Sequence, residues 1–232
     1  MIILRKAQDR GLTQTDWLTS WHTFSFGEYH DPEFMGFSYL RVINEDTVQP
    51  DGGFGTHPHR DMEIISYVIS GKLQHKDSMG TGTIIRPGEI QCMSAGTGVM
   101  HSEFNPSSEN SVHFLQIWIV PNQMELKPSY QQKQIPQLHN RFILLASPIP
   151  NTESVIIHQD VHLYMANLTR DTALSYSLQS GRKSWIQLIK GEIAVNNKFL
   201  KAGDGVAIVD EDKIQIQCIK DAELLMFDLG NM

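Results

Sequence analysis

Two stretches decide how this chain can fold: Thr56-His57-Pro58-His59 and Met100-His101-Ser102-Glu103. Each places two metal-binding side chains at positions i and i+2, and such positions share one face of an extended strand. Neither stretch has the i, i+4 spacing that is typical of ligands on a helix. The sequence therefore predicts that both are β-strands. Side by side, they would offer three imidazoles and one carboxylate to a single transition-metal ion.

A second carboxylate competes with Glu103 for the fourth position. Glu63 follows His59 by four residues, about 13 Å of extended chain, so it reaches the same point only if the chain bends. Glu103 follows His101 by two residues, the offset that also separates the two histidines of the first stretch. This spacing favours Glu103 as the ligand and gives Glu63 a structural or supporting role. Pro58 cannot donate to a β-ladder, which predicts an edge or bulged strand.

Composition excludes several classes of protein. The 232 residues suffice for one or two domains. A formal net charge of -7 argues against direct contact with nucleic acid, because phosphate binding needs clustered lysine and arginine. No apolar run reaches the length of a membrane span or a signal-peptide core, which predicts a cytoplasmic protein without a membrane partner. Cys92 and Cys218 are far apart and are expected to be buried free thiols.

Short apolar segments separated by turn residues predict β-structure along the whole chain. Four of the predicted strands near the C-terminus are Trp185–Ile189, Glu192–Val195, Lys213–Ile219 and Leu224–Leu229. Residues 121–139 interrupt this pattern, because they are polar and include three prolines. We therefore expect an interdomain linker over 122–139. It would connect an N-terminal domain, residues 1–121, to a C-terminal domain, residues 140–232.

A weak internal repeat relates the two halves. The segments Ser66–Leu73 and Ile186–Ile193 match in pattern when Gly71 is aligned with Gly191. This alignment sets Ser177, Gln179 and Lys183 against His57, His59 and Glu63. The second half is therefore expected to be the same kind of barrel without metal ligands.

Aromatic residues are concentrated between positions 17 and 39, where glycine and proline break the segment into short pieces. Two interpretations stay open. The aromatic side chains could form a hydrophobic plug over the core, or some of them could line a pocket for a flat aromatic ligand. The residues are Trp17, Trp21, Phe24, Phe26, Tyr29, Phe34, Phe37 and Tyr39.

The longer runs around the two stretches resemble the pirin branch of the cupin superfamily. The resemblance rests on Gly55–Glu63 and Ser94–Glu103, and Ser20–Phe26 and Met35–Phe37 extend it over essentially the whole chain. One departure is the glycine after the first motif, which comes one residue late, at Gly71. The resemblance implies an all-β bicupin, with two tandem jelly-roll barrels and only short helices or turns. The N-terminal barrel would bind the metal.

The resemblance also implies a ligand set and an activity. The family's three histidines and one glutamate correspond to His57, His59, His101 and Glu103, with iron as the first expectation among divalent metals. Copper, manganese, cobalt, nickel and zinc are alternatives. Bacterial pirin-like proteins imply a quercetin 2,3-dioxygenase, which opens the central ring of a flavonol with O2 and releases CO. Glu103 would then take the hydroxyl proton of the substrate.

An alternative function comes from the same family. Pirins are also associated with transcriptional regulation through protein partners, and the metal would then serve as an iron or redox sensor. The sequence names no substrate-binding residue that would distinguish the dioxygenase from the regulatory protein. The space beside the metal would distinguish them, because an open, aromatic-lined cavity favours the enzyme and a sealed site favours the regulator.

Overall fold

A computed structural model describes residues 1–150 and 152–231. Strands make up 58% of the described residues and helix 1%, so the all-β prediction is confirmed. The helical element of the described residues is a single 3-10 turn at Ala7–Asp9, and none of their helices is long and apolar enough to cross a membrane. Numbered in chain order, the strands are β1 (Ile2–Arg5), β2 (Gly11–Gln14), β3 (Leu18–His22), β4 (Leu40–Val48), β5 (Gly53–His59), β6 (Glu63–Ser70), β7 (Leu73–Asp77), β8 (Gly82–Ile85), β9 (Glu89–Ser94), β10 (Val99–Phe104), β11 (Val112–Ile119), β12 (Ser129–Gln134), β13 (Ile143–Ser147), β14 (Val155–Ile156), β15 (Val161–Leu168), β16 (Ala173–Ser177), β17 (Lys183–Val195), β18 (Lys198–Lys201), β19 (Gly205–Ile208) and β20 (Lys213–Leu229).

The chain divides into two compact units. The N-terminal unit contains Gly11–Ile135 and Ile149–Gln159. The C-terminal unit contains Met1–Arg10, Pro136–Pro148 and Asp160–Met232. These boundaries differ from the predicted ones because β1 pairs with β19 and so brings the start of the chain into the C-terminal unit.

The predicted linker, residues 122–139, also differs from what the structure contains there. Its central part is a regular strand, β12, which pairs with β9 from Ser129 to Gln134. The linker was predicted because the side chains of β12 are polar. A strand at the edge of a sheet can expose one face to water, so it needs no apolar run.

Two antiparallel sheets form the N-terminal unit. One has the order β12-β9-β6-β11-β4-β3-β2, and the other has the order β5-β10-β7-β8. Their inner faces share a hydrophobic cluster in which Leu73 and Ile85 of the smaller sheet pack with Val68 and Phe114 of the larger one. Burial of these side chains holds the two sheets face to face, as in a jelly roll.

Two unusually long strands, β17 and β20, organise the C-terminal unit. The sequence predicted four separate strands here, and the structure joins them in pairs: Trp185–Ile189 with Glu192–Val195, and Lys213–Ile219 with Leu224–Leu229. Register shifts on both sides of Gly191, whose φ is +84°, let the chain bend while the ladder continues. Side chains from both strands, including Ile186, Leu188 and Leu224, fill the core of this unit.

Candidate metal centre

The two stretches that carry the predicted ligands form adjacent antiparallel strands. The register of β5 and β10 sets His57 directly opposite His101. β5 is the edge strand of its sheet, as Pro58 predicted, and a residue without an N–H is tolerated there. After His59 the chain leaves β5, and Glu63 begins β6 in the other sheet. The three residues between His59 and Glu63 therefore connect the two sheets.

Hydrogen bonding determines which ring nitrogen of His57 carries the proton and which has a lone pair available for a metal. Its Nδ1 lies 2.8 Å from the carbonyl oxygen of Gly55, and a carbonyl only accepts, so Nδ1 carries the proton. The lone pair on Nε2 then faces Nε2 of His101 at 3.0 Å. Two nitrogens bound to one metal at about 2.1 Å, at right angles to each other, would lie about 3.0 Å apart. This spacing fits two ligands of one shared ion.

His101 is connected on its other side to a buried His75–Asp77 pair. Nδ1 of His101 lies 3.5 Å from Nδ1 of His75, and Nε2 of His75 lies 3.0 Å from Oδ2 of Asp77. The carboxylate accepts the Nε2 proton of His75, which leaves Nδ1 of that ring to accept from His101. This series of contacts leaves Nε2 of His101 without a proton and turned towards His57.

The metal-binding atoms fall into two overlapping groups. In one group, the ligand atoms of His57, His59 and His101 lie within 4.8 Å of one another, and in the other the same holds for His75, His101 and Glu103. His101 belongs to both. Both groups of this kind found among the described residues lie in the N-terminal unit. The structure thus gathers the predicted residues around His101 and adds His75.

Burial keeps two of these imidazoles neutral. It lowers the pKa of His59 to about 4, with a further contribution from His57. It lowers the pKa of His101 to about 2, with further contributions from His57, His59 and His75. Neutral imidazoles offer lone pairs at physiological pH, which metal binding requires.

Glu103 is buried and lies over a row of polar side chains on the larger sheet. Ser66 donates to its Oε1 at 3.2 Å and Gln116 donates to its Oε2 at 2.7 Å. Burial raises the pKa of Glu103 to about 7, and the nearby Asp46 adds to the effect while the two donors oppose it. A bound cation would favour the ionised carboxylate at this position.

The polar row results from strand register. Side chains directly opposite one another on β9, β6, β11, β4 and β3 are all polar: Gln91, Ser66, Gln116, Asn44 and His22. Nδ1 of His22 donates to Oδ1 of Asn44 at 2.8 Å. Polar groups in a sheet interior need partners, so this row builds a hydrogen-bonding floor below the histidines.

Glu63, the alternative carboxylate, lies elsewhere in the N-terminal unit and belongs to neither metal-binding group. Ser94 donates to its Oε2 at 3.0 Å, and the backbone N–H of His158 donates to the same oxygen at 3.2 Å. Ser94 Oγ and the Glu63 carboxylate both contact Nδ1 of His158, whereas a catalytic triad uses both ring nitrogens. These contacts are those of a structural residue, and the structural or supporting role of Glu63 stays a prediction.

A cavity of about 320 Å³, partly open to solvent, lies beside the histidines. Its apolar wall consists of Leu18, Phe26, Phe54 and Trp118. Its polar lining includes His57, His59 and Glu103, together with Asn44, Asp46 and Gln116. The ring of Trp118 packs edge-on against Phe26 and against His59, with centroids 5.3 Å and 4.9 Å away. Of the aromatic residues between 17 and 39, Phe26 lines this pocket.

Sequence reasoning missed His75 and the polar floor. A usable signal was present in His75-Lys76-Asp77, which repeats the i, i+2 spacing of the predicted ligands. Cys92 and Cys218 are buried and free, as predicted. Burial raises the pKa of both thiols, so neither is suited to be a reactive thiolate.

Comparison with known proteins places these features in context. The family model described as Pirin matches residues 5–119, and the one described as Quercetinase C-terminal cupin domain matches residues 144–229. The quercetin 2,3-dioxygenase of Escherichia coli (strain K12) is 47% identical over 229 residues, covering 99% of each chain. A putative quercetin 2,3-dioxygenase of Pasteurella multocida is 42% identical, covering 99% of this chain and 100% of its own.

Solved structures of other proteins share the fold of this chain. The bacterial pirin YhhW from Escherichia coli, crystallised in complex with nickel(II), superposes with a TM-score of 0.97 at 46% identity and covers 100% of both chains. A quercetin 2,3-dioxygenase from Acinetobacter baumannii shares the fold with a TM-score of 0.81 at 17% identity, covering 98% of this chain and 85% of its own. These relatives and the imidazole–carboxylate groups support a divalent metal, and they confirm the cupin fold.

Proposed function

This chain belongs to the pirin family, and from that premise we propose that it is a metal-dependent dioxygenase that opens the central ring of quercetin-like flavonols. O2 is the co-substrate and CO is released. The proposed ligands are His57, His59, His101 and Glu103. Relatives named quercetin 2,3-dioxygenase support the reaction type at 47% and, with a putative assignment, at 42% identity.

The cavity beside the histidines gives the strongest support for this function. A flat aromatic substrate requires an apolar slot with a few directed polar groups at its end, and the cavity beside His57 and His59 has this composition. The edge-on packing of Trp118 against Phe26 and His59 gives the slot a rigid aromatic wall. A metal sensor that acts through a protein partner has no need of such a pocket. The cavity therefore favours the enzyme over the regulatory alternative.

The protein's own residues have defined tasks in this scheme. A divalent ion bound here would supply a positive charge that favours an anionic oxygen ligand and access to O2 chemistry. Glu103, which lines the cavity, accepts the proton of the substrate's 3-hydroxyl group. Ser66 and Gln116 hold the carboxylate in place. The aromatic wall orients the flavonol and excludes water from its ring.

Iron is the metal that we propose first, with copper, manganese, cobalt, nickel and zinc as alternatives. A donor set of imidazoles and one carboxylate without a thiolate suits all of these ions to different degrees. The donors therefore narrow the choice of metal, and metal analysis must complete it.

The test combines metal analysis with turnover. The protein is purified without a metal-affinity column, stripped with a chelator and reconstituted with each divalent metal in turn. We expect quercetin-dependent O2 uptake and stoichiometric CO release with at least one metal, and neither in the stripped protein. Turnover by metal-free protein, or none with any metal, would refute the proposed function.

A further inference from the structure

Asp46 is a buried carboxyl group in the wall of the cavity that the proposed mechanism does not use. It lies on β4 and its residue is 3% exposed. Ser20, directly opposite on β3, hydrogen-bonds to the carboxyl group. The second oxygen, Oδ1, has no hydrogen-bond partner among the described residues. A buried polar atom without a partner, in a residue that lines a pocket, can be completed by a ligand.

The surroundings of Asp46 decide what kind of group could complete it. No lysine or arginine is among the described residues that line the cavity, so no cation neutralises the carboxyl group there. The preceding residue, Glu45, pairs instead with His113, with 2.9 Å between Nε2 of His113 and Oε1 of Glu45. Burial raises the pKa of Asp46 to about 7, against the opposing effect of the Ser20 hydrogen bond. The complementary partner is a neutral hydroxyl group rather than a cation.

The cavity also limits where such a hydroxyl group can be located. His57, His59 and Glu103 line the cavity, and in the proposed function they face the reacting oxygen of the substrate. Phe26 and Trp118 border the space for aromatic rings. A flavonol held between these walls presents further hydroxyl groups on its outer rings, away from the reacting oxygen.

On the basis of the proposed function, we propose that Asp46 is a specificity-determining residue that accepts a hydrogen bond from a phenolic hydroxyl group of the flavonol, other than the one at the histidines. The orphan Oδ1 atom is the acceptor. Flavonols that carry hydroxyl groups beyond position 3 are therefore preferred over the parent 3-hydroxyflavone.

The experiment pairs changes in the protein with changes in the substrate. Affinities for 3-hydroxyflavone, a 3,5,7-trihydroxyflavone and quercetin are measured without O2 from quenching of tryptophan fluorescence, and kcat/KM is measured with O2. The variants are Asp46→Leu, which removes the acceptor, and Asp46→Asn, which keeps an acceptor oxygen. Glu45→Gln is the matched control, because it changes the adjacent carboxylate outside the cavity.

We expect Asp46→Leu to weaken binding of at least one polyhydroxylated flavonol about 10- to 100-fold, the typical loss for a hydrogen bond to a charged or buried group. Binding of 3-hydroxyflavone should change by less than about threefold, and Asp46→Asn should recover part of the loss. Glu45→Gln should leave both affinities unchanged. Metal content, measured in parallel, should stay at the wild-type value.

Three results would overturn the proposal. Equal losses for all flavonols would show a structural effect, and no loss for any would show that Asp46 makes no contact. If Asp46→Leu does not fold, the wild-type protein still decides, because equal affinity for 3-hydroxyflavone and the polyhydroxylated flavonols would refute the preference. Failure of the proposed function looks different, since the wild-type protein would then turn over no flavonol with O2, whatever the metal.

Discussion

His57 and His101 lie directly opposite each other on β5 and β10, with 3.0 Å between their Nε2 atoms. The Gly55 carbonyl holds the proton on the far nitrogen of His57, and the His75–Asp77 pair does the same for His101. Two lone pairs therefore face each other in a partly buried space. This arrangement is unfavourable without a cation and favourable with one, which makes metal affinity the first property to test.

Replacing His101 tests the centre most directly, because this residue belongs to both groups of metal-binding atoms. We expect His101→Ala to reduce bound metal from about one ion per chain to below about a tenth, because without His101 neither group keeps three metal-binding side chains. The measurement is elemental analysis after dialysis against a defined free-metal concentration. His30→Ala, at an exposed histidine of the same unit, should keep the wild-type content. Full metal occupancy in His101→Ala would contradict the assignment.

Asp77→Asn tests whether the proton on Nε2 of His75 contributes to metal affinity. The amide side chain can no longer accept the Nε2 proton of His75 as strongly, so His75 loses the partner that makes its Nδ1 an acceptor for His101. Changes to groups that orient metal-binding histidines typically cost 10- to 100-fold, and we expect a loss of about that size in metal affinity. Isothermal titration of metal into stripped protein measures it. An unchanged affinity in a folded variant would refute the role of the pair.

Glu103 and Glu63 are the two buried carboxylates considered as the fourth metal ligand, and the same substitution in each compares them. Glu103→Gln should lower metal affinity at least about 100-fold while the fold persists, because Ser66 and Gln116 can rearrange around an amide. Glu63→Gln should keep metal affinity but lower the free energy of unfolding by about 1–3 kcal/mol, because Ser94 and His158 lose a charged acceptor. Titration and denaturant unfolding of both variants measure these effects. If Glu63→Gln lost metal affinity and Glu103→Gln kept it, Glu63 would be the ligand and Glu103 the structural residue.

How much of this centre could be predicted from sequence depends on whether the signal was local. His57 and His59 share a face because of strand geometry alone, and so do His101 and Glu103, which made these residues predictable. His75 and Asp77 have the same i, i+2 spacing, but β7 has one apolar residue, Leu73, and little strand character, so the spacing alone did not mark this segment as a strand that carries ligands. Its place beside His101 is set by pairing of β7 with β10, a contact between distant segments.

The fold shows the same division between local and distant signals. Alternating apolar residues predicted most strands, but residues that join strands were read as breaks. Gly191 is an example, since a glycine with positive φ is typical of a turn, and here it forms an irregularity within β17. The polar floor under Glu103 was also hidden, because Ser66, Gln116 and Asn44 become neighbours only through strand register.

The last prediction concerns the pH dependence of stability. The pKa of Asp46 is raised from 3.8 in the unfolded chain to about 7 in the fold, chiefly by burial, with Glu45 adding to the effect and Ser20 and His113 opposing it. The folded state therefore holds this proton more tightly. Its contribution to stability is complete below pH about 4 and is lost as the pH rises through about 7. Asp46→Asn removes this dependence because its amide does not titrate.

We therefore expect the stability of Asp46→Asn relative to the wild-type protein to increase between pH about 4 and pH about 8, by at most about 4 kcal/mol for three pKa units. Glu103 also faces this region and titrates in the same range, but it is present in both proteins and largely cancels in the comparison. Urea unfolding of the metal-free proteins at half-unit steps of pH measures the difference. Parallel stability curves across this range would mean that Asp46 is ionised in the fold at acidic pH and has a partner that its surroundings do not reveal.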